Sequence, residues 1–133
     1  AGFLKGIDAD FLSVIGNVKK RTAKSIVADG GGYEELTEKV FLLSKSEAYG
    51  GRENNIEEGA PYPYYSANSS LQTSGDGADR NRIKYLNETA KYWFVRTCNT
   101  DYGQNVRIVS PTGSFSNNNA EGNIAVAPVC AVV

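Results

Sequence analysis

The sequence predicts an α+β domain, and three observations carry that expectation. Apolar residues recur at helical spacing only near the N-terminus, with one further short capped segment. β-prone runs dominate the C-terminal third, and Gly, Ser, Asn and Pro fill the long stretch between. A chain of 133 residues fits one domain, and it can bury roughly two-thirds of its unfolded surface without a metal or disulfide framework. Residues 1–133 are therefore expected to form a single unit with a small antiparallel sheet, one or two short helices and long loops.

Taken in order, Asp8 is placed to cap a helix carrying Phe11, Leu12 and Ile15, which Gly16 would stop. Val18 to Ala28 is basic and partly β-branched, and reads as a strand or a continuing helix. Asp29-Gly30-Gly31-Gly32 is a break, followed by an acidic segment expected to be a turn. Val40-Phe41-Leu42-Leu43 reads as a short buried strand. Ser44 with Glu47 three residues on has the spacing of a capping box, so a short helix should run through Tyr49 to Gly50-Gly51. From there to about Thr89 the composition is mostly that of loop, and loops this long are usually functional or flexible.

Tyr92–Arg96, Asn105–Val109 and Ile124–Val133 are β-prone and read as a three-stranded antiparallel meander. Ser110-Pro111-Thr112-Gly113 fits a type I turn, and Asn117 to Gly122 is expected to be a further loop. Pro128 places the final strand at an edge or at a bulge.

Composition narrows function. Lys and Arg number 14 against 15 Asp and Glu, a formal charge of −1, so no basic field exists to attract phosphate backbones and nucleic acid is not an expected partner. No apolar run reaches about 18 residues, so membrane insertion is not expected either. The start, Ala1-Gly2-Phe3-Leu4-Lys5, lacks the order of a signal peptide and has no Met; the chain reads as the C-terminal part of a larger protein or a processed product. His is absent, which removes the commonest general base and metal ligand. No cofactor is expected.

The acid pairs Asp8/Asp10, Glu34/Glu35, Glu57/Glu58 and Asp76/Asp79 offer carboxylates, but neighbours in sequence usually point apart. Gly75-Asp76-Gly77-Ala78-Asp79 is too short for a calcium loop and lacks a closing bidentate Glu; it reads as a turn. Cys98 and Cys130 are open to three readings: buried thiols, a disulfide closing about 33 residues if they face each other on adjacent strands, or a reactive thiol, which would lack a His base. Tyr49, Tyr62, Tyr64 and Tyr65 surround a Pro-rich loop, which reads as packed over the core rather than as a paratope. Asn99, Asn105, Asn117, Asn118, Asn119 and Asn123 cluster near the C-terminus, where Arg107, Asp101 and Glu121 are the only charges among the last 36 residues. Beside Tyr102 and Phe115 they form either a recognition surface or plain turn chemistry.

Phe41-Leu42-Leu43-Ser44 with Glu47, Tyr49-Gly50-Gly51, Tyr92-Trp93-Phe94-Val95-Arg96-Thr97, Val106-Arg107-Ile108-Val109 with Gly113, and Val126-Ala127-Pro128-Val129-Cys130 stand in an order that covers about residues 36 to 133. This order resembles C-type-lectin-fold domains of the formylglycine-generating-enzyme type, as found in phage tail and other virion proteins. Within that group, the C-terminal segment is similar to the variable region of diversity-generating-retroelement proteins. The resemblance implies a C-type-lectin-like fold without catalysis, on a virion tail or cell surface, recognising a host cell-surface protein or glycan. A homo-oligomer through the parent protein is compatible with it.

The ligand-binding positions it implies are Asn99, Asp101, Tyr102, Asn105, Phe115, Asn117, Asn118, Asn119 and Asn123. The scaffold positions are Trp93, Val95, Val106, Ile108, Val126 and Val129. The Glu-Pro-Asn calcium motif of sugar-binding lectins and the paired Cys of the oxidising enzymes are not reproduced. The competing expectations are a virion decoration or assembly domain with no host ligand, and a thiol-dependent enzyme of the formylglycine-generating type.

Overall fold

In the computed structural model, which describes residues 3–66 and 81–133, short helices and small sheets wrap one apolar cluster. Residues 75–79, which the sequence reads as a turn, lie outside the described residues. After a 3₁₀ turn at Phe3–Gly6, α1 (Ala9–Val14) begins where the Asp8 carboxylate accepts the N–H groups of Asp10 and Phe11 at 2.9 and 3.2 Å. It ends one residue sooner than its apolar spacing predicts. Ile15 is already extended and buried in β1 (Ile15–Gly16), because β1 pairs antiparallel with the end of the chain.

The ambiguous basic stretch resolves into β2 (Val18–Ala23) and α2 (Ile26–Asp29), the latter capped by Ser25 and closed by Gly30 in the left-handed region at φ 74°. The acidic segment is not a turn. It is β3 (Tyr33–Glu38), paired residue for residue with β2 from Val18↔Glu38 to Ala23↔Tyr33. Its Glu side chains have low β propensity, but the basic partner strand compensates: Glu35 takes ion pairs from Lys19 and Arg21.

β4 (Val40–Leu42) leads into α3 (Lys45–Tyr49) through the expected capping box. Ser44 Oγ accepts Glu47 N–H at 3.1 Å and a Glu47 oxygen accepts Ser44 N–H at 2.8 Å. Beyond α4 (Pro63–Ser66), β5 (Lys84–Leu86) and β6 (Thr89–Lys91) form a hairpin whose two central residues, Asn87 and Glu88, both have positive φ, as a two-residue type I′ loop requires.

β7 (Trp93–Cys98) and β8 (Asn105–Val109) pair antiparallel as the sequence implies. The third strand of that meander differs from expectation. It is β9 (Phe115–Asn119), the Asn-rich segment read as a loop, joined to β8 by a tight connection in which Gly113 donates to Ser110 O at 2.9 Å. The expected third strand splits into β10 (Ala125–Val126), parallel to β7, and β11 (Pro128–Val132), central between β1 and β4. Pro128 is tolerated not at an edge but as the first residue of its strand, where its missing N–H costs least.

The core gathers Phe41, Leu43, Ala48, Tyr49, Tyr65, Trp93, Val95 and Val109. Trp93 donates its indole N–H to Arg82 O at 2.8 Å, and the buried Arg82 guanidinium lies over the Tyr49 ring and donates to Ala48 O. Of the scaffold positions expected from the resemblance, Trp93, Val95 and Ile108 are buried and Val129 packs against the core cluster. Val106 is half-buried, whereas Val126 is 60 % exposed because β10 is the outer strand of its sheet.

Candidate functional site

The weak motifs that carry the resemblance meet in space. Glu47, at the third position of α3, is only 3 % exposed. One of its oxygens takes the buried Lys20 ammonium from β2 at 2.6 Å; the other takes Arg96 from β7 and the Ser44 N–H. Arg96 also donates to the carbonyls of Leu42, Glu58 and Arg21. One guanidinium thus ties β7 to β2, to the β4–α3 junction and to Glu58. Lys20 is completed by the Tyr62 hydroxyl at 2.9 Å and by the Phe41 ring at 3.9 Å. Burial pushes the Glu47 carboxyl up, but the hydrogen bonds from Arg96, Lys20 and Ser44 outweigh it and hold the group below its ordinary value.

A second buried acid, Glu53, fixes the base of the C-terminal loops. It pairs with Lys45 at 3.0 Å and Arg107 at 2.6 Å, and faces the Thr100 N–H. Burial raises its carboxyl, yet Arg107 and Lys45 bring the net shift below the ordinary value. Glu58 is the opposite case. Burial dominates and raises it, although Thr97 and the Ala23 N–H donate to it. Every buried side-chain nitrogen and oxygen among the described residues has a hydrogen-bond partner. These buried acids and bases hold the fold; a cleft of about 570 Å³ beside Lys20, Glu47 and Glu58 is walled by groups already committed to one another.

The predicted ligand-binding positions divide. Asp101, Tyr102, Asn117, Asn118 and Asn123 are exposed, and Asn105 and Asn119 are half-buried along the same hairpin. Asn105 donates to Asn117 across the β8–β9 pair at 3.2 Å. Two positions are engaged with the interior more than an exposed binding position would be. Asn99 is 3 % exposed, with its side chain accepting the Asp101 N–H and its backbone bonded to Asn105 and Tyr102; it shapes the loop from inside. Phe115 packs edge-on against Tyr49 at 5.2 Å and lies between the Lys45 and Arg107 cations at 5.1 and 5.2 Å. It is a half-buried extension of the core.

The loop of residues 99–105 is held from several sides. Ile26 donates to Thr100 O at 3.0 Å from α2, and Ala120 donates to Gln104 O at 3.0 Å from the turn after β9. A Cβ on Gly103 would meet the Ala28 side chain at 3.3 Å, so the loop lies against α2. Tyr102 stands 62 % exposed on this frame. Sequence reasoning missed the fastening residues Glu53, Arg107, Lys20 and Glu58. Isolated charges give no periodic signal, and only tertiary pairing shows which of them are buried.

The remaining candidates separate as well. Cys98 and Cys130 are both free and half-buried, on β7 and β11, which are not neighbours in any sheet; the adjacent-strand disulfide is not formed. Burial, with the nearby Glu58 and Glu53 charges, pushes the Cys98 thiol up to about 11, and it donates to Ala23 O. We expect Cys98 to react with a thiol reagent at pH 8 far more slowly than a free thiol and at full rate in denaturant; fast labelling in the folded protein would contradict this placement. Tyr65 is in the core, whereas Tyr62, whose hydroxyl accepts from Lys20, and Tyr64 are exposed, so the loop packs over the core only in part. Of the acid pairs, Asp8 and Asp10 serve α1, Glu34 and Glu35 face opposite sides of β3, and Glu57 is exposed beside buried Glu58. Among the described residues no group of three or more His, Cys, Asp or Glu is arranged to hold a metal ion, and no helix is long and apolar enough to cross a membrane.

A family model described as a domain of unknown function, DUF6273, matches residues 1–133. No curated protein and no solved structure matches the chain.

Proposed function

The chain belongs to the DUF6273 family, and we propose that it is a non-catalytic ligand-binding domain of C-type-lectin-like fold, displayed on a phage tail or a cell surface. Its ligand would be a host surface protein or glycan, met by the 99–105 loop and the β8–β9 hairpin. The observation that carries this reading is the contrast between a fastened base and a polar rim. Asn99, Thr100, Glu53 and Arg107 are buried or paired, while Asp101 and Tyr102, next in the chain, and Asn117, opposite Arg107 in the ladder, are exposed, as are Asn118 and Asn123.

A pre-ordered loop loses little entropy on binding, and exposed Tyr and Asn side chains give contact area and adaptable hydrogen bonds. The lectin-like part of the proposal is supported by the Glu47–Arg96 contact, which joins two of the motifs that carry the resemblance. Substitution at the rim with this base kept is what a retroelement-diversified surface would need.

The test is a screen of the labelled chain against arrays of glycans and of cell-surface proteins, repeated with Tyr102→Ala and Phe115→Ala. Tyr102→Ala should weaken any hit by about tenfold or more and change stability by no more than about 0.5 kcal/mol. Phe115→Ala should instead destabilise, by about 2–4 kcal/mol. Full binding retained by Tyr102→Ala, or a large stability loss in it, would remove this loop from the proposed surface.

A further inference from the structure

Val126 on β10 lies between two depressions that it helps to line. On one side a groove of about 480 Å³ runs past Val40, Phe41, Leu42 and Pro128 and is overhung by β3. The strand alternation puts Glu34, Leu36 and Glu38 on that overhanging face. Leu36 is exposed, and neither Glu34 nor Glu38 makes an ion pair among the described residues, whereas Glu35 on the opposite face has two. Arg96 reaches the same groove but is committed to Glu47 and three carbonyls.

On the other side of Val126 a depression of about 240 Å³ is lined by Tyr85, Leu86, Lys84 and Lys91. Tyr85 and Leu86 are exposed. Lys84 and Lys91 sit directly opposite each other on the β5–β6 hairpin, a like-charge pairing that opposes hairpin formation. Neither has an ion pair among the described residues; Lys84 rests 5.4 Å from the Tyr65 ring.

The track is therefore acidic at one end, apolar through Leu36, Val126 and Leu86, and basic at the other. Such a surface is complementary to itself after a half-turn, which is the requirement for a two-fold contact. We propose that two copies of this chain form a dimer through the track, with Val126 near the axis. Glu34 and Glu38 of each copy then meet Lys84 and Lys91 of the other, which answers both the unmatched acids and the opposed lysines. β10 and β9 are opposite edges of one sheet, so the contact leaves the β9 edge free. The proposal is independent of the ligand-binding reading.

Light scattering after size exclusion tests it on the 133-residue chain at roughly 1–100 µM, the range of micromolar self-association. The wild type should reach twice its 14.3 kDa mass; a monomer throughout overturns the proposal. Glu34→Lys/Glu38→Lys, Lys84→Glu/Lys91→Glu and, separately, Val126→Asp should each weaken dimerisation by about tenfold or more. The two charge-reversed doubles mixed in equal amounts should dimerise again, because one set of contacts is then the native one and the other is restored with exchanged signs. Variants that remain dimeric, or doubles that stay monomeric when mixed, place any contact elsewhere and overturn the proposal.

Discussion

Glu47→Gln should destabilise the protein by about 3–5 kcal/mol in equilibrium denaturation, the cost expected when one partner of a buried charge cluster is removed. The amide can still accept from Ser44, so the capping box survives in part. What it cannot do is balance two cations: the Lys20 ammonium, buried beside it, and Arg96 are left with the Tyr62 hydroxyl and carbonyl oxygens. A domain of this size has about 5–15 kcal/mol in total, so the variant sits near its unfolding threshold. A loss under about 1 kcal/mol would mean that the cluster is not what joins β2, α3 and β7.

The same group sets an acid dependence whose sign follows from its shift. Glu47 and Glu53 are held below their ordinary value near 4.5 in the folded state. Their contribution is present above that value and is lost as pH falls through the lower folded values. Glu58 is raised, so its contribution runs the other way: it favours the fold at low pH, and that part is lost as pH rises through its folded value. Glu47→Gln should accordingly flatten the acid limb of the stability profile.

Trp93→Ala should cost about 3–5 kcal/mol, the range for removing a large aromatic side chain from a packed interior. Trp93 is 1 % exposed in the cluster with Phe41, Tyr49, Val95 and Val109. Its loss opens a cavity between α3 and the main sheet, and also removes the donor to Arg82 O. Arg82 in turn supports Ala48 and stacks on Tyr49, so part of the damage should spread to α3. Urea denaturation with an unchanged slope would report a pure stability loss. A loss smaller than that of Phe115→Ala would contradict the placing of Trp93 at the centre of the core.

The elements legible in the sequence are those specified by local chemistry. Ser44 and Glu47 announce a capping box because both partners lie within one turn, and Asn105–Val109 reads as a strand from its own β-branched residues. β9 was not legible because Ser116, Asn117, Asn118 and Asn119 have no β preference; they are extended because β8 offers a ladder across a tight connection. β3 is hidden for the same reason, its Glu residues being stabilised by basic β2. At the site, exposure of Tyr102 and Asn117 agrees with the sequence reading. Asn99 and Phe115 depart from it because their partners, the Asp101 and Asn105 backbones in one case and Tyr49 in the other, are set by tertiary packing. The α+β class follows from local pattern, whereas the burial of Lys20, Glu53 and Arg96 does not.

The central claim, a varied rim on a fixed base, is tested most directly by deep sequencing of this gene across a population of its source. The account expects substitutions concentrated at codons 101, 102, 105, 117, 118, 119 and 123, with codons 99 and 115 as constant as those of Glu47, Trp93 and Arg96. Variation spread evenly over exposed positions, or reaching Asn99 and Phe115 as often as Tyr102 and Asn117, would contradict it and leave the asparagines as ordinary turn and edge residues.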